Sequence, residues 1–164
     1  MTHASPLLTP DEALAVAALY ADYADALDEG RWADWPGFFT ADGVYRLQAR
    51  ENHERGLPLA TLALEGQGML LDRVGAVSGT LFHHPYWQRH VVGAPRVRAR
   101  HDDGRITAQA SVLVVRTPRD GMPEVLVVGR YLDQLVSTPE GWRFARRELI
   151  FDNDLLPNSV IYPL

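Results

Sequence analysis

The chain has 164 residues, 46% apolar and 23% charged, a balance that suits one globular domain over 1–164 and excludes a disordered or collagen-like chain. Its net charge of −5, with acids spread along its length, lacks the basic footprint of a nucleic-acid binder. There is no cysteine, so this chain can form no disulfide and supply no thiolate to a nucleophilic, zinc or iron–sulfur site.

The opening residues Met1–Pro6 carry no basic region followed by an apolar stretch, so no signal peptide is expected and a cytoplasmic location follows. The first element is a helix starting at Thr9-Pro10-Asp11-Glu12: Thr9 as N-cap, Pro10 in the first helical position and Glu12 closing a capping box. Val16, Leu19, Tyr20, Tyr23 and Leu27 form one apolar stripe, Asp22, Asp25 and Asp28 fall on the other side, and Gly30 ends the segment. Trp32, Trp35, Phe38 and Phe39 predict a short second helix broken around Pro36-Gly37, followed by a turn at Thr40–Gly43 and a strand over Val44–Ala49. Glu65–Val77 reads as a third helix with Met69, Leu70 and Val74 inward, interrupted by glycines.

From Pro95 the period becomes two. Val97, Ala99 and His101 alternate with Arg96, Arg98 and Arg100, and Asp102-Asp103-Gly104 turns the chain into Ile106–Arg116. Asp120-Gly121 leads to Glu124–Ser137, and Thr138–Gly141 to Trp142–Asp152. Helices first and a meander of long antiparallel strands after them predict an α+β fold with a strongly bent sheet over the helices. The apolar runs Leu113–Val115 and Val125–Val128 are too short to cross a bilayer, and the segment from Leu155 to Leu164 is expected to run extended across the surface.

Six histidines raise the possibility of a metal, but His53, His83, His84 and His90 show no His-x-x-x-His, Glu-x-x-His or His-x-His spacing, so no metal site is assigned. An acid–base pocket is the stronger rival: Tyr20, Tyr23, Asp25, Tyr45, His90 and Asp133 could converge inside the curve of the sheet. Each also has a plain structural reading, the tyrosines as core, Asp25 as a solvated charge and His90 as a satisfied histidine. Arg96, Arg98 and Arg100 share a strand face, solvated or answered by a partner's acids. All sixteen basic residues are Arg, which fits either codon bias or a preference for forked donors at interface ion pairs. No nucleophile elbow, phosphate loop or dinucleotide fingerprint is present.

Tyr23–Trp32, followed by Phe38-Phe39-Thr-Ala-Asp42-Gly-Val-Tyr45, resembles the opening of the nuclear transport factor 2-like (SnoaL-like) superfamily. That resemblance implies a cone-shaped α+β fold with N-terminal helices on a strongly curved, mostly antiparallel sheet. Met69–Val74, Tyr86–Pro95, Gly129–Asp133 and Trp142–Asp152 resemble, in order, segments of the β subunits of aromatic-ring-hydroxylating dioxygenases. Asn52–Leu57 and Tyr162–Leu164 look closest to those acting on terephthalate and related aromatic acids. The resemblance implies a small structural subunit without catalytic residues. It would trimerise and assemble as α3β3 with an α subunit bearing a Rieske [2Fe-2S] cluster and a mononuclear iron, with no nucleic-acid or membrane partner.

Interface candidates under that reading are Asp72, Arg73, Arg89, Arg96, Arg98, Arg146, Arg147 and Asp152. The alternative is a stand-alone enzyme of dehydratase, isomerase or polyketide cyclase type, with Tyr23, Asp25, Tyr45 and His90 as its pocket. Against it, ketosteroid isomerase places its carboxylate base eight residues after the Phe that matches Phe39, and here that position is Leu47. A phenol at Tyr23 with no base would transfer few protons.

Overall fold

The computed structural model describes residues 7–80, 82–156 and 160–164. Helix α1 runs Pro10–Asp28 and starts on the expected capping box: Glu12 N–H donates to Thr9 Oγ1 (3.2 Å) and Thr9 N–H to the Glu12 carboxylate (2.8 Å). Val16, Leu19, Tyr20, Tyr23 and Leu27 are buried, so the stripe read from the 3.6-residue period is the core face. Asp28 departs from that reading. The last turn of α1 crosses a strand, and the Asp28 carboxylate points inward to accept from the main-chain N–H of His90.

Trp32–Phe38 forms one 3-10 helix through Pro36 rather than a broken helix, anchored by the fully buried Trp35 beside the proline. The expected turn at Thr40–Gly43 is instead a bulge inside strand β1 (Phe39–Ala49), whose pairing register shifts between Phe39 and Val44. A Cβ on Gly43 would lie 2.7 Å from the Phe39 Cβ and 3.2 Å from the Phe144 carbonyl oxygen, so only glycine fits there.

Two short elements were not legible as periodic runs: helix α2 (Arg50–Glu54) and strand β2 (Leu62–Glu65). Because Glu65 belongs to β2, helix α3 begins at Gly66, which turns the chain with a φ of 76°, and ends at Gly75 in a π-helical turn, Ala76–Thr80. Leu70 is buried and Val74 partly so, whereas Met69 is exposed; its sulfur accepts from the Glu65 N–H.

The remaining strands are β3 (Tyr86–Val92), β4 (Arg96–Arg100), β5 (Ile106–Pro118), β6 (Glu124–Thr138) and β7 (Gly141–Phe151). The sheet order is β2-β1-β7-β6-β5-β3, with β4 also on β5; β1 and β7 run parallel and the other pairs antiparallel. The result is an open, mixed, mostly antiparallel sheet with helices packed on it, the arrangement the sequence resemblance implies.

Period two sends alternate residues to the inner face. One inner row, in register, is Tyr45, Arg147, Asp133 and Ala108; the next is Leu47, Leu149, Tyr131 and Ala110. Helix α1 lays its stripe over these rows and the contact is the core. The segment expected to lie on the surface does not do so at its end: Leu164 is fully buried in the core. Residues 157–159 of that expected run lie outside the described residues.

Candidate functional site

The interior of the curved sheet, where a pocket would sit, is filled. Arg147 on β7 is wholly buried, and its guanidinium lies over the rings of Tyr131 (3.7 Å), Phe144 (3.9 Å), Tyr23 (4.1 Å) and Tyr20 (4.7 Å). Its Nε and Nη2 each donate to one oxygen of Asp133 at 3.1 Å, and the Tyr20 hydroxyl donates to the same carboxylate. This forked ion pair closed by four aromatic faces is a filled core, in which cation–π contact replaces hydration of the guanidinium.

The electrostatics follow from burial. Desolvation pushes the phenols of Tyr20, Tyr23 and Tyr131 well up and that of Tyr45 to about 12. Burial also raises the Asp133 carboxyl against the pull of Arg147 and Tyr20. For Arg147 burial acts downward, but Asp133 and the surrounding phenols outweigh it and hold the guanidinium above its ordinary range. A phenol that does not ionise near neutral pH is a hydrogen-bond donor rather than a base.

The sequence-predicted pocket set splits in three. Tyr23 and Tyr45 share the interior, and both hydroxyls donate to the Leu164 main-chain oxygen at 3.0 Å. Asp25 is exposed and paired with Arg31 at 2.8 Å, so it does not join them. His90 Nδ1 lies 2.6 Å from Asp28 Oδ1, its side chain is buried, and its Nε2 has no partner. The two line a groove of about 450 Å³ between α1 and β3, floored by Ala17, Ala21, Ala24 and Gly93. Tyr20 and Asp133, also named from the sequence, do meet. Among the described residues no three His, Asp or Glu side chains come close enough to hold a metal ion, and no helix is long and apolar enough to cross a membrane.

The interface candidates also separate. Arg147 is corrected outright: buried in the interior, it has no surface to offer a partner. Arg73 is half-buried and spends its Nη2 on the carbonyls of Val160 and Ile161. Asp72, Arg96 and Arg98 are exposed. Arg89 pairs with Glu29 (2.8 Å), Arg146 with Glu148 (2.6 Å) and Asp152 with Arg50 (3.3 Å).

A surface that the candidate set missed lies on the outer face of the sheet. Val91, Leu113 and Val128 are directly opposed across β3, β5 and β6, and Val115 faces Val125 in a neighbouring row, with Trp87 on β3 beyond. Trp87 is 57% exposed, Val91 60%, Val125 48% and Val128 43%. The signal was present as the unbroken runs Leu113–Val115 and Val125–Val128. A strand apolar on both faces has a second face to cover.

A family model of the SnoaL-like domain matches residues 11–148. The small subunit of anthranilate 1,2-dioxygenase from Burkholderia cepacia is 30% identical over 142 residues, 87% of this chain and 88% of that one. A β subunit of the terminal oxygenase component of terephthalate 1,2-dioxygenase from Comamonas is 30% identical over 149 residues, 91% of this chain and 96% of its own. The crystal structure of a protein assigned as the β subunit of an aromatic-ring-hydroxylating dioxygenase from Novosphingobium aromaticivorans has a TM-score of 0.82 and 30% identity, covering 92% of this chain and 94% of that one.

Proposed function

This chain belongs to the SnoaL-like domain family, and from that membership we propose that it is the small structural subunit of an aromatic-ring-hydroxylating dioxygenase. The observation that carries the reading is the near full-length similarity to dioxygenase small subunits in both sequence and fold. The filled interior supports it, since the space that would admit a substrate holds Arg147 and four aromatic rings.

In this reading the chain binds no substrate and holds no metal. The larger α partner carries the Rieske cluster and the mononuclear iron, and electrons and oxygen meet the ring there. A Rieske centre takes two Cys and two His, and this sequence has no Cys. The substrate is an aromatic compound, by analogy with the relatives a carboxylated one, and the complex is a cytoplasmic α3β3 built on a trimer of this chain. The apolar outer face of β3, β5 and β6 is the surface we assign to assembly, with the exposed charges Asp72, Arg96 and Arg98 at other contacts. An apolar centre with a charged rim is the ordinary anatomy of a lasting interface.

Co-expression with a Rieske-type α subunit encoded beside it tests the reading. One complex of equal stoichiometry by native mass spectrometry, oxidising an aromatic acid only when both chains are present, is the expected result. Turnover of a substrate by this chain alone, lost in His90→Ala or Asp25→Asn, would favour the acid–base enzyme instead.

A further inference from the structure

Residues 160–164 are held as a ligand is held in a receptor. Among the described residues the segment belongs to no strand, and its main-chain acceptors are answered by side chains from four separate elements. Arg73 on α3 donates to the carbonyls of Val160 (2.8 Å) and Ile161 (2.6 Å), and Gln88 on β3 to that of Pro163 (3.3 Å). Tyr23 on α1 and Tyr45 on β1 both donate to the Leu164 oxygen at 3.0 Å, while the Leu164 N–H donates to the Tyr45 hydroxyl at 3.0 Å. The Tyr162 ring stacks on Trp32 with centroids 4.5 Å apart, and the Leu164 side chain is buried in the core.

The two phenols are built for this task. Trp35 Nε1 donates to the Tyr23 oxygen at 3.1 Å, which leaves the Tyr23 proton for Leu164. Both hydroxyls are buried, so an empty site would strand two donors away from water. Two phenol donors converging on one oxygen, beside an apolar slot and a guanidinium, recognise a main-chain acceptor oxygen on an apolar, extended chain.

We propose that the fold contains a receptor for an extended apolar peptide segment, which the chain fills with its own residues 160–164 as an exchangeable internal ligand. The tether gives the internal segment a high effective concentration, so an added peptide competes only once the internal copy is weakened. The inference does not depend on the dioxygenase reading.

The test uses the full chain with Leu164→Asp, which sets a carboxylate against an apolar slot and expels the segment. An amidated synthetic peptide of residues 160–164 is then titrated while Trp32 fluorescence reports stacking by its tyrosine. Saturable binding at least tenfold tighter than to the unsubstituted chain is expected. Tyr23→Phe and Tyr45→Phe, added singly, should each weaken it about fivefold, the net effect of one hydrogen bond. A folded Leu164→Asp chain that binds no peptide overturns the proposal, as does binding indifferent to both phenols. Should that variant not fold, hydrogen exchange on the unsubstituted chain decides. An exchangeable segment lets the Leu164 amide exchange by local opening, well before Tyr131 in β6. Equal protection at the two sites overturns the proposal.

Discussion

Arg147 and Asp133 face each other across the β7–β6 ladder and make a two-pronged ion pair inside the sheet's curve, each prong 3.1 Å. Both side chains are wholly buried, so each is the other's main substitute for water. This pair sits inside the curve where the acid–base reading of the sequence placed a pocket, and with the aromatic rings around it that space is core.

Removing one partner should therefore cost far more than removing both. Arg147→Met strands the Asp133 carboxylate and should lower unfolding free energy by about 3–5 kcal/mol. The double variant Arg147→Met/Asp133→Leu should recover a large part of that loss. Urea denaturation of the unsubstituted chain, Arg147→Met and the double variant checks this; a double variant no more stable than Arg147→Met would refute it.

Glu12 links the start of α1 to the sheet. Arg100 and the Thr9 amide hold its carboxyl below the ordinary 4.5, at about 2. A depressed acid contributes stability that is full above its unfolded value and is lost as pH falls towards the folded one. The thermal midpoint of the unsubstituted chain should thus exceed that of Glu12→Gln above pH 4.5, and the gap should close between pH 4.5 and about 2. Because Glu12 lies at the surface, added salt should narrow the gap as well. A gap independent of pH would assign the effect to packing.

Gly129 sits in β6 against β7, where an added Cβ would lie 2.2 Å from the Ile150 oxygen and 2.9 Å from the Phe151 Cα. Both are main-chain atoms and cannot rotate away. Gly129→Ala should cost about 1–3 kcal/mol, whereas Gly79→Ala, with open space around it, should stay within about 0.5 kcal/mol.

The outer apolar face makes a separate claim. Val91→Asp and Val128→Glu replace exposed side chains and should leave the isolated fold within about 0.5 kcal/mol of its starting stability. The same changes should break self-association or binding of the α partner, measured by light scattering and co-purification. Arg96→Glu and Arg98→Glu test the charge-based alternative, and loss of assembly only in the arginine variants would move the interface to β4.

The sequence by itself determined what depends on neighbours a few residues apart. Thr9, Pro10 and Glu12 start α1, its stripe names the buried side, and the Asp-Gly and Pro-Glu-Gly turns mark the hairpins of β4 to β7. The absence of cysteine settled which cofactors this chain cannot hold, and ordered motifs indicated the family. Tertiary structure decided the rest. Arg146 and Arg147 are adjacent arginines on a strand, so alternation sends one in and one out, but only the register with Asp133 says which. Tyr20 meets Asp133 across 113 residues and Tyr45 meets Leu164 across 119, distances over which no local period carries information. The burial of Leu164, the inward turn of Asp28 and the apolar outer face are likewise products of which elements the folded chain lays against one another.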